Sequence, residues 1–186
     1  MTAQPGGREP APPHLAPLQD LLNTVNLESG EDELATGGFA AWAQRCGVAG
    51  ATEADRSRLQ RFREDLRDWV EAGTDLVPPD VVQAVDRARL RVGVVDGRLG
   101  TTSATAYGRL VAEVVEGIRT AIRAGDWSRL KVCSRSSCRW AFYDHSRNNR
   151  SRWCSSSICG AREKSMRAYR RRVAAPGTLP EPPSAG

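Results

Sequence analysis

Four cysteines, Cys133, Cys138, Cys154 and Cys159, are spaced C-x4-C, fifteen residues, C-x4-C. Two close pairs separated by a hairpin's length can converge on one tetrahedral ion. An all-cysteine set leaves no open position for a substrate, so the chemistry is that of a structural Zn2+ site. Spacing alone leaves open two disulfides or four unrelated buried thiols. A cytoplasmic compartment, where thiols stay reduced, favours the metal. The fifth cysteine, Cys46, follows Phe39 and Trp42 at helical spacing and reads as a small apolar core residue.

The charge around these thiols points to a polyanionic partner. Residues 129–173 hold 13 Arg and Lys against Asp144 and Glu163, whereas the whole chain holds 27 basic against 22 acidic residues. The remainder is therefore net acidic, and the basicity is local. Concentrated cations release counterions from nucleic acid, and an acidic neighbour limits indiscriminate binding. Arginine preference carries no weight here, because 25 of the 27 basic residues are Arg. Only the clustering counts.

Catalysis finds little to work with. His14 and His145 are the two histidines, so no His-centred pair, HExxH or phosphate-cradling loop can be assembled, and the chain is expected not to be an enzyme. His145 lies in the finger turn. With four thiolates completing the tetrahedron it reads as an exposed turn residue rather than a substitute ligand.

The elements that must position these groups are mostly helical. Leu15, Leu18, Leu22 and Val25 mark a first amphipathic helix, followed by an acidic loop from Glu28 to Glu33. Thr36 is placed to cap a helix carrying Phe39, Trp42 and Cys46. Thr52 with Asp55 opens a longer one bearing Leu59, Phe62, Leu66, Trp69 and Val70 and closed by Gly73. After Pro78-Pro79, Asp80 is the expected cap of a helix with Val81, Val82 and Val85. Leu90, Val92 and Val94 then alternate into Asp96-Gly97, a tight hairpin turn from which Arg98 to Thr102 return. A long helix from about Ser103 to Ala124 directs Leu110, Val111, Val114, Val115, Ile118 and Ile122 inward and stops at Gly125. The expected fold class is mainly α with a small β-hairpin. A helix-rich domain over 15–128 precedes a finger at 129–173, and the Pro/Gly-rich ends, 1–14 and 174–186, read as disordered.

Within the finger, Leu130 and Val132 lead to the first Cys pair. Trp140, Phe142 and Tyr143 supply a strand, 144–152 the turn, and Trp153 the returning strand, and Cys154 and Cys159 bracket the start of a helix to about Val173. This is a treble-clef or zinc-ribbon-like order. The aromatics read as a mini-core around the ion, because so small a module has little else to bury; stacking on unpaired bases is the alternative. On the last helix Ile158, Met166, Tyr169 and Val173 form a stripe with Arg162 within or beside it, and Lys164, Arg167 and Arg171 lie opposite. Arg162 is therefore expected to be structural, bonded to a thiolate or paired with Asp144. The outer trio, with Arg147, Asn148, Arg150 and Arg152 of the turn, forms the candidate nucleic-acid contact. Two modules so different in apolar content are expected to fold separately, the finger alone depending on metal.

Asp144, Ser146, Arg147, Asn148, Arg152, Trp153, Cys154 and then Cys159-Gly160-x-Arg162-x-Lys164 resemble the CGNR-type zinc finger. The segment from Leu18 to Leu34 resembles the start of the ABATE domain, which precedes this finger in a family of bacterial stress-induced transcription regulators. The resemblance implies a helical N-terminal domain, a zinc-ribbon-like finger and DNA binding, with RNA binding the family's other assignment. The family's Asn is Ala161 here, so whatever that amide contacts is lost. A zinc-stabilised adaptor docking an acidic protein is the reading from a different class. No apolar run is long enough to span a membrane and Met1 to Pro13 has no signal-peptide core, so the chain is expected in the cytoplasm, on the nucleoid if it binds DNA, and as a homodimer if the N-terminal domain dimerises.

Overall fold

The computed structural model describes residues 4–35 and 37–174. The expected disorder of the C-terminal end falls almost entirely outside these residues, as does the expected cap Thr36. Among the described residues the fold is mainly α, with three small antiparallel hairpins: six α-helices, α1 (Ala16–Leu22), α2 (Phe39–Arg45), α3 (Glu53–Ala72), α4 (Pro79–Ala88), α5 (Ala106–Ala124) and α6 (Ala161–Ala174), and the strand pairs β1 (Val25–Asn26) with β2 (Glu31–Asp32), β3 (Arg91–Val95) with β4 (Arg98–Thr102), and β5 (Leu130–Val132) with β6 (Ala141–Tyr143). Among the described residues no helix is long and apolar enough to cross a membrane.

Local signals and outcome agree where capping chemistry is strong. Thr52 and Asp55 form a reciprocal capping box, Thr52 N donating to Asp55 Oδ2 at 2.9 Å and Asp55 N to Thr52 Oγ1 at 3.3 Å, and Gly73 ends α3 in the left-handed region. Helix α4 instead starts two residues earlier than expected. Pro78 is its N-cap and Asp80 sits inside the first turn, because Pro79 is preset for the first helical position. Val25, expected in the first helix, lies instead in β1 beyond the end of α1 at Leu22, and β1 pairs with β2 from the acidic loop. In the β3–β4 hairpin, Val94 faces Leu99 and Val92 faces Thr101. Val92, Val94 and Leu99 are exposed rather than packed inward.

The core is one continuous cluster from α1, α2, α3, α4 and α5 that also takes in Leu130, Val132, Ala141 and Tyr143. Strand pairing explains this. In the register Leu130 to Tyr143 and Val132 to Ala141, these four share one face and close the helical core. Phe142 points the other way, fully buried against Cys133, Cys154 and Cys159. The hairpin is thus a wall common to both modules, an arrangement that couples the finger to the helical core.

The expected N-terminal disorder does not hold for residues 4–14. Pro5–Gly7 forms a 3-10 turn, Ala11 is buried, and Ala11 N donates to Gln19 Oε1 at 2.9 Å. The arm crosses α5 at Gly117, where any Cβ would lie 2.1 Å from His14 O. Pro lowers the entropy that ordering costs whereas Gly raises it, so a Pro/Gly-rich composition alone cannot separate a pinned arm from a loose one.

Candidate metal centre

The first Cys pair hangs on the end of β5. Cys133 N donates to Trp140 O at 2.9 Å, and Cys138 N turns back to Arg135 O at 2.9 Å, forming the knuckle. The second pair is set by Ser155, whose Oγ accepts from Ile158 N at 3.2 Å and caps a π turn, Ser156–Gly160, that carries Cys159 into α6. Trp153 lies in no strand. It packs against the thiol cluster and the backbone of Gly160, where a Cβ would meet Trp153 Cδ1 at 3.1 Å. What the position asks of Gly160 is a close approach to Trp153 and not a left-handed backbone.

All four sulfurs converge, lying within 4.8 Å of one another, with 3.7 Å between Cys138 and Cys154 Sγ and 3.6 Å between Cys154 and Cys159 Sγ. A tetrahedron with Zn–S bonds of about 2.3 Å has edges of about 3.8 Å, so the donor set fits a four-coordinate ion. Disulfide spacing is near 2 Å, far shorter than these separations, and all five cysteines are free. Hydrogen bonds from its neighbours push the Cys133 thiol down while the same bonds, with burial, push Cys138 and Cys154 up. Thiolates bind the ion, so a bound dication favours the ionised form of the whole set. Cys46 is half-buried, and burial with the nearby Glu113 carboxylate pushes it up to about 12. It is an inert thiol at neutral pH.

Asp144 organises the turn beside the centre. Its carboxylate is fully buried and accepts from Ser146 N at 3.0 Å, Ser151 N at 2.8 Å, Ser151 Oγ at 2.8 Å and Lys131 Nζ at 2.9 Å. Burial raises its pKa, but these bonds outweigh burial and hold it well below the usual carboxylate range. Its contribution is therefore present above pH about 4 and lost as the pH falls below that, where the unfolded carboxylate protonates first. Asp144→Asn is expected to cost about 2–4 kcal/mol at pH 7. In denaturant titrations the gap to wild type should narrow below pH 4, and a gap independent of pH would contradict the assignment.

Arg162 does neither of the two things expected of it. It pairs with Glu28 in the N-terminal domain, Nη1 lying 2.8 and 3.1 Å from the two carboxylate oxygens, and not with Asp144 or a thiolate. The stripe beside it is uncovered: Ile158, Met166, Tyr169 and Val173 are 38–68% exposed. Helix α6 packs on the π turn from which it grows, and helical phase cannot reveal whether a partner stands opposite. Arg147, Asn148, Arg150, Arg152, Lys164, Arg167 and Arg171 are all exposed. Several other finger cations are engaged inward, Arg129 on Asp144 O and Ser146 O, and Arg139 on Asp68 and Glu71 of α3. His145 is exposed and its Nε2 lies 3.0 Å from Pro10 O.

Residues not foreseen hold the centre to the helical domain. Arg8 lies 4.6 Å over the Phe142 ring and donates to the carbonyls of Cys154 (2.8 Å), Trp153 (3.1 Å) and Tyr143 (3.3 Å). Asn23 pairs with β6 as a strand would, Nδ2 to Ala141 O and Ala141 N to Oδ1, both at 2.8 Å. Arg67, 1% exposed, donates to Leu22 O at 2.6 Å and Arg139 O at 2.7 Å. The sequence signals were slight: a lone Arg in a Pro-rich arm, and a charged residue on the apolar side of α3.

A helical domain fused through a shared hairpin to a four-thiol, treble-clef-like finger is the class that this fold and site define. Residues 129–172 match the CGNR zinc finger, and residues 6–129 match ABATE, described as a putative stress-induced transcription regulator. The chain belongs to the ABATE family, with a CGNR zinc finger completing it. No curated protein matches it.

Proposed function

We propose that the chain is a transcription regulator that binds Zn2+ through Cys133, Cys138, Cys154 and Cys159 and double-stranded DNA through the finger, with the N-terminal domain serving for sensing or dimerisation. One observation carries the nucleic-acid reading. The finger buries Phe142 and Tyr143, keeps Trp140 and Trp153 half-buried against the thiols, and leaves its turn and α6 cations exposed. Cations rather than stacking rings meet the ligand, which favours a duplex backbone over unpaired RNA bases. Arg147, Arg150, Arg152, Lys164, Arg167 and Arg171 serve as phosphate contacts, while Asn148 is of a type that reads an adenine edge. About six such contacts give a log affinity falling with log salt at a slope near −5. Lys164→Ala or Arg167→Ala should weaken binding to every sequence and flatten that slope by about one, with metal retained. A gel-shift series over salt measures this. Slopes unchanged in all the outer variants would overturn the DNA face, and failure of random duplex to compete with an acidic protein would favour the adaptor.

A further inference from the structure

Two guanidinium groups of the finger meet at one point. Arg135, in the knuckle between Cys133 and Cys138, and Arg162, in the first turn after Cys159, both donate through Nη1 to Glu28 Oε1, and Arg162 reaches Oε2 as well. Each arginine belongs to a different Cys pair, so the fold of the metal centre sets their separation. Beside them runs an open groove of about 600 Å³ lined by Arg135, Ser157, Ile158, Arg162, Ser165 and Met166. Convergent guanidiniums, flanking hydroxyls and an apolar wall suit a phosphodiester with its sugar, since arginine forks match tetrahedral oxyanions as well as carboxylates.

Glu28 reaches this point from the turn between β1 and β2, where Asn26 Oδ1 accepts from Glu28 N at 3.0 Å and holds the turn. The pair is half-exposed, with Arg162 52% and Glu28 35% accessible. Ion pairs in such a setting are weak and salt-screened, so a phosphate can displace the carboxylate.

We propose that Arg135 and Arg162 form a phosphate site for the nucleic-acid backbone, occupied in the free protein by Glu28, so that the N-terminal domain sets the finger's affinity. This rests on the nucleic-acid reading above. The test uses the full zinc-loaded chain and a labelled random-sequence DNA duplex, titrated over salt, with zinc content measured for every variant. Glu28→Gln should tighten binding about 3- to 10-fold at low salt and steepen the slope by about one to two. Adding Arg135→Ala and Arg162→Ala to Glu28→Gln should remove the gain while zinc is retained. Glu31→Gln removes the same charge from the same hairpin, at the start of β2, without touching the arginines, and should change affinity far less. Equal tightening by Glu31→Gln, a gain that survives loss of both arginines, or no effect of Glu28→Gln on a wild type that binds would each overturn the site alone. No duplex binding by any of the proteins would overturn both this site and the proposed function.

Discussion

Replacing Cys154 by Ser is expected to abolish binding of the single metal ion and to destabilise the helical domain along with the finger. Small zinc modules draw roughly 10–16 kcal/mol of apparent binding free energy from their ion. Here that energy is expected to reach the helical domain as well. The β5–β6 hairpin presents Phe142 to the thiols and Leu130, Val132, Ala141 and Tyr143 to the helical core. Loss of the ion frees the knuckle that continues β5, and the wall of the main core goes with it. The amides of Gln19 and Asn23, both buried, then lose their acceptor at Ala141 O. Chelation should therefore lower the unfolding midpoint in one cooperative step and open cleavage sites before residue 128 as well as after it. Cys46→Ser should leave metal content unchanged, because Cys46 stands outside the cluster. Protease resistance of 15–125 that survives chelation would return the fold to two independent modules.

Arg67→Met is expected to be the most damaging substitution away from the thiols, at about 3–5 kcal/mol. Methionine fills the volume but donates nothing. The carbonyls of Leu22 and Arg139 would lose their donor inside the protein, and Glu64 Oε2 would lose its partner at 3.1 Å. Burial lowers the Arg67 pKa, yet an arginine stays charged at neutral pH, so the charge is offset by Glu64 and two carbonyl dipoles. Because Arg139 leads out of the knuckle, the same variant should weaken metal affinity. A fall in Tm of about 10 °C is the corresponding readout for a chain of this size. A neutral variant would mean that water replaces the guanidinium at both carbonyls.

These two effects come from contacts that local pattern does not contain, and this is where the sequence stops being legible. The Thr52 and Asp55 box, the Asp96-Gly97 turn and the spacing of the four thiols are decided within a few residues, and each is met in the structure. Asn23 and Ala141 are 118 positions apart and Arg162 and Glu28 are 134 apart. Periodicity assigns Arg162 to the same side as Met166, and the groove bears that out. It cannot say that this side meets an acidic turn rather than a thiolate. The arm from Gln4 to His14 was hidden for a related reason: its composition is that of a loose end, and its order comes from Arg8 on the finger and Gly117 on α5.

The central functional claim is that the metal-loaded finger holds duplex DNA. It is tested most directly by equilibrium anisotropy of a labelled random-sequence duplex titrated with the zinc-loaded full chain and, separately, with Cys154→Ser. Saturable binding is expected for the loaded chain, steeply weakened by salt, displaced by unlabelled duplex more effectively than by unstructured RNA, and lost in Cys154→Ser. Absence of binding by the loaded chain at low salt, or equal binding by Cys154→Ser, would contradict it.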